Sequence, residues 1–260
     1  MENLKQQLQK MGLKNTDTIL IHSSLRHINR DPQLIVNTLI EYFDEGLVLL
    51  PTHTWAQMRN DNNYFDYKVE PSCVGLLTET FRKHPGVIRS IQPTHSMAGY
   101  GKKAKEYLDN DFKYSKSPCD PKGTWGQLGE VGAKILLIGC DMTRNTYVHA
   151  VEEIVDIPDR LTKEMINFEI VTEDGSVISR DYYKHDHSNY DNLSMNYKIA
   201  EQPLTNLGII KKHKFGDADV LLMDAAELRD QIIFWLAHNK MLFDTDLPMN
   251  PKLAKMKYNK

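Results

Sequence analysis

Cysteine is scarce in this chain, and the few cysteines that occur follow no disulfide or ligand pattern. The 260 residues include only Cys73, Cys119 and Cys140, an odd number without C-x-x-C spacing. Such a set argues against a disulfide framework and a structural zinc site, and is typical of proteins in a reducing compartment. We therefore expect a cytoplasmic location.

Long apolar runs and an excess of one charge are also missing. No segment approaches the length of a membrane span, and Met1–Gln7 lacks the apolar core of a secretion signal. The 32 basic and 35 acidic side chains leave a net charge of −3, so we expect neither a membrane anchor nor a nucleic-acid partner. The chain also lacks G-x-x-x-x-G-K-[ST], and no G-x-G-x-x-G follows a strand pattern. These absences argue against P-loop NTPases and dinucleotide-binding folds.

What the chain does contain is an alternation of strand and helix patterns. Thr18–His22 and Gly46–Leu50 are continuous apolar runs typical of buried strands. Between them, Asp31 and Pro32 predict a helix start, as N-cap and first helical residue. Alternation of this kind favours an α/β fold whose sheet is covered on both faces. We expect one domain over residues 1–260 with a mixed, mostly parallel sheet.

The second half of the chain adds a hairpin and a weakly patterned tail. Asn167–Glu173 and Ser176–Arg180 flank Asp174-Gly175, a dipeptide that favours a tight hairpin turn. Residues 248–260 contain two prolines and four lysines, and we expect this tail to be loosely held. The adjacent aromatic residues Phe234 and Trp235 fit either the core or a homodimer interface, so the oligomeric state stays open.

The most informative segment is Asn145–Glu152, which closely follows the apolar run Ile135–Cys140. Within it, Thr146, His149 and Glu152 recur every three residues, a spacing that places them on neighbouring turns of a helix. A histidine beside a carboxylate, just beyond a buried strand, is where α/β enzymes commonly keep their chemistry. Glu152 would fix the imidazole tautomer and raise its basicity, which makes His149 a candidate general base. The alternative is an exposed helix on which the histidine and the glutamate are neighbours without a functional role.

Three further polar clusters follow apolar segments. They are Ser23-Ser24-Leu25-Arg26, Thr52-His53-Thr54 and Thr94-His95-Ser96. Because the carboxyl ends of parallel strands share one edge of a sheet, these clusters are predicted to converge on one crevice. The first offers backbone N–H groups, hydroxyls and a guanidinium that suit an anion. Taken alone, the first cluster is more typical of an ordinary hydrogen-bonded loop, and the alternative for each histidine of the other two is a structural donor near the core.

Together and in this order, these segments resemble the aminoglycoside 3-N-acetyltransferase family. The similarity spans roughly residues 18–155, and its most specific parts are Asn145–Glu152 and Pro85–Ser96. The resemblance implies a three-layer α/β/α fold and transfer of an acetyl group from acetyl-coenzyme A to an amine of an aminoglycoside or other amino sugar. It implies direct attack by the amine, without a metal or a protein nucleophile.

The resemblance also implies a role for each matching residue. His149 corresponds to the catalytic base, Glu152 to its orienting partner and Thr146 to a neighbour of the reacting thioester. The implied coenzyme A side consists of Ser23, Ser24, Leu25, Arg26, Thr94, His95 and Ser96. The implied acceptor side consists of Asp186, Thr52 and His53. In this chain Lys184, His185 and His187 surround Asp186, a departure from the acidic loop of many members that puts the acceptor in doubt.

Three alternatives remain at the level of sequence. A zinc-dependent hydrolase would use His185, Asp186 and His187 together with His53 or His95. A cysteine-dependent acyltransferase would use Cys140 with His149. A non-catalytic protein would bind coenzyme A or another ligand as a sensor.

Overall fold

The computed structural model describes residues 3–59, 62–186, 188 and 193–259. Over these residues the strands are β1 (Thr18–Ser23), β2 (Leu47–Pro51), β3 (Tyr64–Asp66), β4 (Ile88–Arg89), β5 (Met97–Tyr100), β6 (Lys134–Ile138), β7 (Ile166–Val171), β8 (Val177–Tyr182), β9 (Lys211–Phe215) and β10 (Ala218–Asp224). The helices are α1 (Leu4–Lys10), α2 (Leu25–Ile28), α3 (Pro32–Tyr42), α4 (Leu76–Arg82), α5 (Ala104–Tyr114), α6 (Tyr147–Ile154), α7 (Glu201–Asn206), α8 (Ala225–His238) and α9 (Pro251–Ala254). Segments of 3-10 helix lie at Gly126–Leu128, Met142–Arg144 and Leu193–Ala200. None of the described helices combines the length and apolar character needed to cross a bilayer.

Seven strands form the main sheet, in the order β4-β5-β2-β1-β6-β10-β9. At its centre β1 pairs in parallel with β2 on one side and β6 on the other, so that Leu20 lies between Leu49 and Ile135. β5 and β10 run opposite to their neighbours, which leaves five strands pointing one way and two the other. The predicted mixed, mostly parallel sheet is confirmed, with its parallel pairings at the centre.

Side chains of the central strands alternate between two apolar cores, one on each face of the sheet. Leu20 and Leu137 belong to one core, whereas Ile19 and Ile138 belong to the other. Helices α5, α6 and α8 cover the first core, and α1, α3 and α4 cover the second. Strands buried on both faces need apolar residues at successive positions, which explains the continuous runs of β1 and β6. The three-layer α/β/α arrangement is confirmed.

The start of α3 follows the predicted capping pattern. The Asp31 carboxylate accepts a hydrogen bond from the Leu34 N–H at 2.9 Å, and Pro32 occupies the first helical position. The cap satisfies a backbone donor that has no partner within the helix. Ile35, Val36 and Leu39 then face the core.

The predicted hairpin forms, but beside the main sheet rather than within it. β7 and β8 pair antiparallel across the turn at Asp174-Gly175, where Gly175 has a φ of +86°. β3 pairs in parallel with β7 and completes a second, three-stranded sheet with a small core of its own. β8 ends at Tyr182, three residues before His185. The second sheet therefore positions the start of the segment that contains His185.

The tail is not loosely held over residues 250–258, in contrast to the expectation from its composition. Asn250 caps α9, and the buried Trp235 donates its indole N–H to the Leu253 carbonyl at 3.0 Å. Gln231 donates to the Met256 carbonyl at 2.9 Å. Buried donors on α8 thus find their acceptors in the tail, which is why it packs. Trp235 therefore belongs to the core, and the homodimer stays an untested prediction.

Candidate active site

Three chain segments leave the main sheet at one edge and meet there. Because β1, β2 and β6 run parallel, their carboxyl ends lie side by side. Beyond β1, the Ser24 N–H donates to the Ile138 carbonyl at the end of β6, at 2.8 Å. Beyond β2, His53 Nε2 lies 3.1 Å from the Thr146 hydroxyl, at the start of α6. The edge predicted to gather polar groups does so.

Helix α6 carries the His149 motif and presents one face to this edge. Its apolar side chains, including Tyr147, Val148 and Val151, are fully buried in the core. Their burial fixes the rotation of the helix, and His149 is left only partly covered, with 16% of its side chain exposed. His149 and Glu152 lie in α6 as predicted, and Thr146 is the residue directly before it.

A tyrosine hydroxyl stands between His149 and Glu152. The His149 Nδ1 and Glu152 Oε2 atoms are 3.7 Å apart, too far for a good direct hydrogen bond. The Tyr197 hydroxyl oxygen lies 2.6 Å from His149 Nδ1 and 2.5 Å from Glu152 Oε2. Glu152 thus contacts the imidazole mainly through Tyr197, whereas the sequence predicts a direct pair.

This bridge determines which nitrogen of His149 carries the proton. Burial and the Glu152 carboxylate raise the pKa of Tyr197 well above its usual value, so the phenol keeps its proton. That single proton is donated to Glu152. The phenol oxygen is then an acceptor toward Nδ1, which requires an N–H there. His149 therefore keeps Nε2 unprotonated and able to accept a proton.

Glu152 stays ionised although its side chain is almost fully buried. Burial by itself would raise the pKa of Glu152, but the neighbouring His149 and Arg160 and the Tyr197 hydroxyl together lower it. Arg160 Nε donates to Glu152 Oε1 at 2.8 Å, and Arg160 Nη2 donates to the Asp244 carboxylate at 2.6 Å. The guanidinium thus compensates two carboxylates in one buried network.

Burial keeps three histidines of this edge, His22, His53 and His149, neutral. It lowers the pKa of His149 from 6.5 to about 4, with a smaller effect from neighbouring His185, although Glu152 acts in the opposite direction. Burial also lowers the pKa of His22 to about 3 and that of His53 well below its usual value. At neutral pH these imidazoles are therefore uncharged hydrogen-bonding groups.

Five histidine rings and one indole form a continuous series at this edge of the sheet. The ring centroids of His149 and His185 are 4.5 Å apart, and those of His185 and His95 are 4.7 Å apart. His95 then contacts His53 at 4.6 Å. Trp125 closes the series, 5.4 Å from His53 and 6.0 Å from His22.

The Thr94-His95-Ser96 cluster divides between the crevice and the interior. Gln92 Oε1 accepts hydrogen bonds from the Thr94 and His95 N–H groups, which turns the chain so that the His95 ring faces the crevice. The Ser96 and Thr52 side chains are fully buried. Ser96 donates to the Thr52 carbonyl and accepts from Arg89 Nε. Their observed role is to join the ends of β2 and β5, and their predicted ligand contacts stay predictions.

The remaining predicted residues lie around the same edge. Ser23 ends β1, Ser24 and Leu25 are partly buried at the start of α2, and Arg26 is exposed. Asp186 N–H donates to the Arg160 carbonyl at 3.0 Å, which ties this segment to the network below His149. His187 and residues 189–192, which include half of the loop at 184–191 predicted to meet the acceptor, lie outside the described residues.

Comparison with known proteins identifies the family to which this chain belongs. The sequence model of aminoglycoside 3-N-acetyltransferases matches residues 20–237, well over half of the chain. The chain belongs to the aminoglycoside 3-N-acetyltransferase family. Acetyl-coenzyme A is the cosubstrate of this family, and its named relatives are acyltransferases.

Individual members of the acetyltransferase family match along nearly their whole length. Aminoglycoside N(3)-acetyltransferase VII of Streptomyces paromomycinus is 23% identical over 267 residues, covering 90% of both chains. The structure of AAC-IIIb with CoASH has a TM-score of 0.76 at 22% identity and covers 90% of this chain and 95% of its own. The structure of AAC-VIa with sisomicin has a TM-score of 0.73 at 22% identity and covers 90% and 96%. The fold is therefore that of aminoglycoside acetyltransferases.

Two of the alternative interpretations find little support in the geometry. Burial, with a smaller effect of Asp141, raises the pKa of Cys140 to about 12, which disfavours the thiolate a nucleophile needs. Among the described residues, the group with metal-like spacing is Cys119, Glu153 and His185, not His185 with Asp186. The hydrolase interpretation also requires His187, which lies outside the described residues.

Sequence patterns missed the residues that hold the motif in place. Tyr197 lies 48 positions from His149, and Asp244 lies 84 positions from Arg160. Neither belongs to a pattern that marks it, since each contact joins elements distant in the chain. The available local signal was the pair of adjacent glutamates, Glu152 and Glu153, which indicates that α6 carries two carboxylates in need of partners.

Proposed function

We propose that the chain is an N-acetyltransferase that moves the acetyl group of acetyl-coenzyme A to an amine of an aminoglycoside or related amino sugar. The proposal rests on the hydrogen-bonded network that joins His149, Tyr197, Glu152 and Arg160. This network lies at the carboxyl edge of the sheet, in a chain that belongs to the aminoglycoside 3-N-acetyltransferase family. Coenzyme A and sisomicin bound to two proteins of the same fold support the two substrate classes.

In the proposed reaction the neutral amine attacks the thioester carbonyl carbon directly. The N–C bond forms, the C–S bond breaks, and the amine proton passes to His149 Nε2 and from there to the departing sulfur. An amine nitrogen already bonded to the carbonyl carbon is far more acidic than a free ammonium ion. A neutral imidazole with a pKa of about 4 can therefore accept its proton during the transfer.

The buried network supports this step electrostatically. When His149 takes up the proton, Nδ1–H stays bonded to the Tyr197 oxygen, and the ionised Glu152 lies 3.7 Å away. A negative charge at that distance in a buried site stabilises an imidazolium without receiving the proton itself. In this proposal His53 Nε2 donates to the Thr146 hydroxyl oxygen, 3.1 Å away, and Thr146 donates its own hydroxyl proton to the thioester oxygen on which charge develops.

The coenzyme A side is proposed from the first cluster of the edge. Ser23, Ser24, Leu25 and Arg26 lie beside the end of β6, within the segment that leads from the sheet to α2. Backbone N–H groups and an exposed guanidinium suit the phosphates of a coenzyme. His95 and Thr94 line the crevice between this segment and His149. For the acceptor we propose His53, which lies within the ring series, and Asp186, which follows His185 in the chain.

The test is release of the coenzyme A thiol from acetyl-coenzyme A in the presence of a panel of aminoglycosides and simpler amino sugars. We expect transfer to at least one acceptor, and a 10²- to 10⁴-fold lower kcat for His149→Ala, about the usual scale for a lost general base. The matched control is His238→Ala, because His238 is an exposed histidine bonded to the Phe234 carbonyl. A loss below tenfold in the His149 variant would remove His149 from the mechanism. Binding of coenzyme A without transfer to any acceptor would favour the sensor.

A further inference from the structure

A second histidine–carboxylate pair lies directly beside the first. Glu153 follows Glu152 in α6, and its Oε1 atom is 3.5 Å from His185 Nε2. Both side chains are almost fully buried, with 3% of Glu153 and 10% of His185 exposed. Consecutive glutamates of one helix thus each face a different histidine, and the two imidazole rings contact one another.

Neighbouring segments fix the glutamate and the backbone of the histidine in the second pair. Glu153 accepts hydrogen bonds from the Ser117 hydroxyl and from the Cys119 N–H, the latter at 2.9 Å. His185 forms an antiparallel bridge with Leu161, beside Arg160, the residue that holds Glu152. Glu152 and Glu153 thus both lie on α6. On the other side, Arg160 binds Glu152 and the adjacent Leu161 pairs with His185.

The His149 and His185 rings contact one another, so a charge on either ring affects the other. The His149 and His185 centroids are 4.5 Å apart and their planes are inclined by 33°. Two positive charges at such a distance in a buried site repel strongly, since the interior screens them poorly. Among the described residues, the ionisable groups close to His185 include Glu153 and His149 on α6, His95 in the loop before β5, His53 after β2, and the buried thiol of Cys119. Lys184 and Asp186 adjoin it in the chain.

We propose that His185, held beside His149 and Glu153, tunes the basicity of His149 through the contact between the two imidazole rings. His185 is then a positioning residue, because it acts on the proposed base and not on the substrate. The inference rests on the proposed function, since it assumes that His149 is the base. It adds a residue that adjusts the base and lies outside the His149 motif.

The test uses two substitutions that change charge in opposite directions. His185→Gln removes the ionisable ring and keeps a polar side chain, whereas His185→Lys installs a persistent positive charge. Replacing a ring that can carry a positive charge by a neutral amide favours the imidazolium of His149, so the Gln variant raises the pKa of His149 by about 1 unit, the coupling expected for ionisable groups in contact. The Lys variant lowers it. The acid limb of the kcat/KM profile moves in the same two directions.

The measurement is the NMR titration of the His149 imidazole, paired with the pH profile of acetyl transfer. His238→Gln is the matched control, because His238 is exposed and outside the edge. Unchanged titration of His149 in the Gln variant overturns the proposal, as do shifts of the same sign in both variants, which mark a merely structural disturbance. If the Lys variant does not fold, the titration of the Gln variant decides. If no protein transfers acetyl groups, wild type included, the proposed function fails, while the titrations still decide the coupling.

Discussion

Replacing Tyr197 by Phe tests how the network prepares His149 for proton transfer. The substitution removes one hydroxyl and keeps the aromatic ring, which packs against Phe243 with a centroid separation of 5.0 Å. It deletes both bonds of the bridge, the one to His149 Nδ1 at 2.6 Å and the one to Glu152 Oε2 at 2.5 Å. His149 and Glu152 then face one another across 3.7 Å without the hydroxyl between them.

The size of the effect follows from the charge on Glu152. A buried hydrogen bond to a charged group contributes about 1.5–3 kcal/mol, so we expect the free energy of unfolding to fall by roughly that amount. The phenol oxygen also accepts Nδ1–H when His149 becomes an imidazolium in the proposed transition state. If the same energy is lost there, the barrier rises by about 1.5–3 kcal/mol, which corresponds to a kcat lower by about 10- to 150-fold.

Steady-state release of the coenzyme A thiol measures the rate, and urea unfolding measures the stability. The matched control is Tyr182→Phe, since Tyr182 is equally buried but its hydroxyl has no hydrogen-bond partner among the described residues. We expect that control to retain wild-type kcat and stability. If Tyr197→Phe and Tyr182→Phe differ by less than twofold in kcat, the hydroxyl does not orient the base and the tautomer argument fails.

Three further outcomes follow from the buried groups. The pKa of His22 is lowered to about 3 and that of His149 to about 4, both from 6.5, so the unfolded chain takes up protons first as the pH falls. The stability that these two neutral imidazoles contribute is therefore complete above about pH 6.5 and is lost progressively toward pH 3. Urea unfolding at several pH values measures this loss, and a flat profile would contradict the buried, neutral state. Arg160→Met leaves the Glu152 charge uncompensated and should cost about 3–5 kcal/mol, whereas adding Glu152→Gln should restore part of it, a recovery that a double-mutant cycle detects. Cys140→Ala should leave kcat within about twofold of wild type in the thiol-release assay, and a loss comparable to that of His149→Ala would favour covalent catalysis.

Local sequence determined most of the secondary structure and the identity of the central motif. The runs of β1 and β6 are apolar at successive positions because both faces of the sheet are buried. Asp31 and Pro32 mark a helix start through a cap that spans only three residues. The spacing of His149 and Glu152 places both on one face of α6 whatever surrounds that helix.

Tertiary structure decided which partners complete these elements. Tyr197 meets Glu152 across 45 positions, and Arg160 joins Glu152 to Asp244. The hairpin pairs with β3 instead of the main sheet, and the tail packs because buried Trp235 needs an acceptor. Local periodicity records which face of an element is buried, but a single hydrogen-bonding side chain far along the chain leaves no periodic signal. The motif could therefore be found from the sequence, whereas the hydroxyl that aligns its histidine could only be seen once the chain was folded.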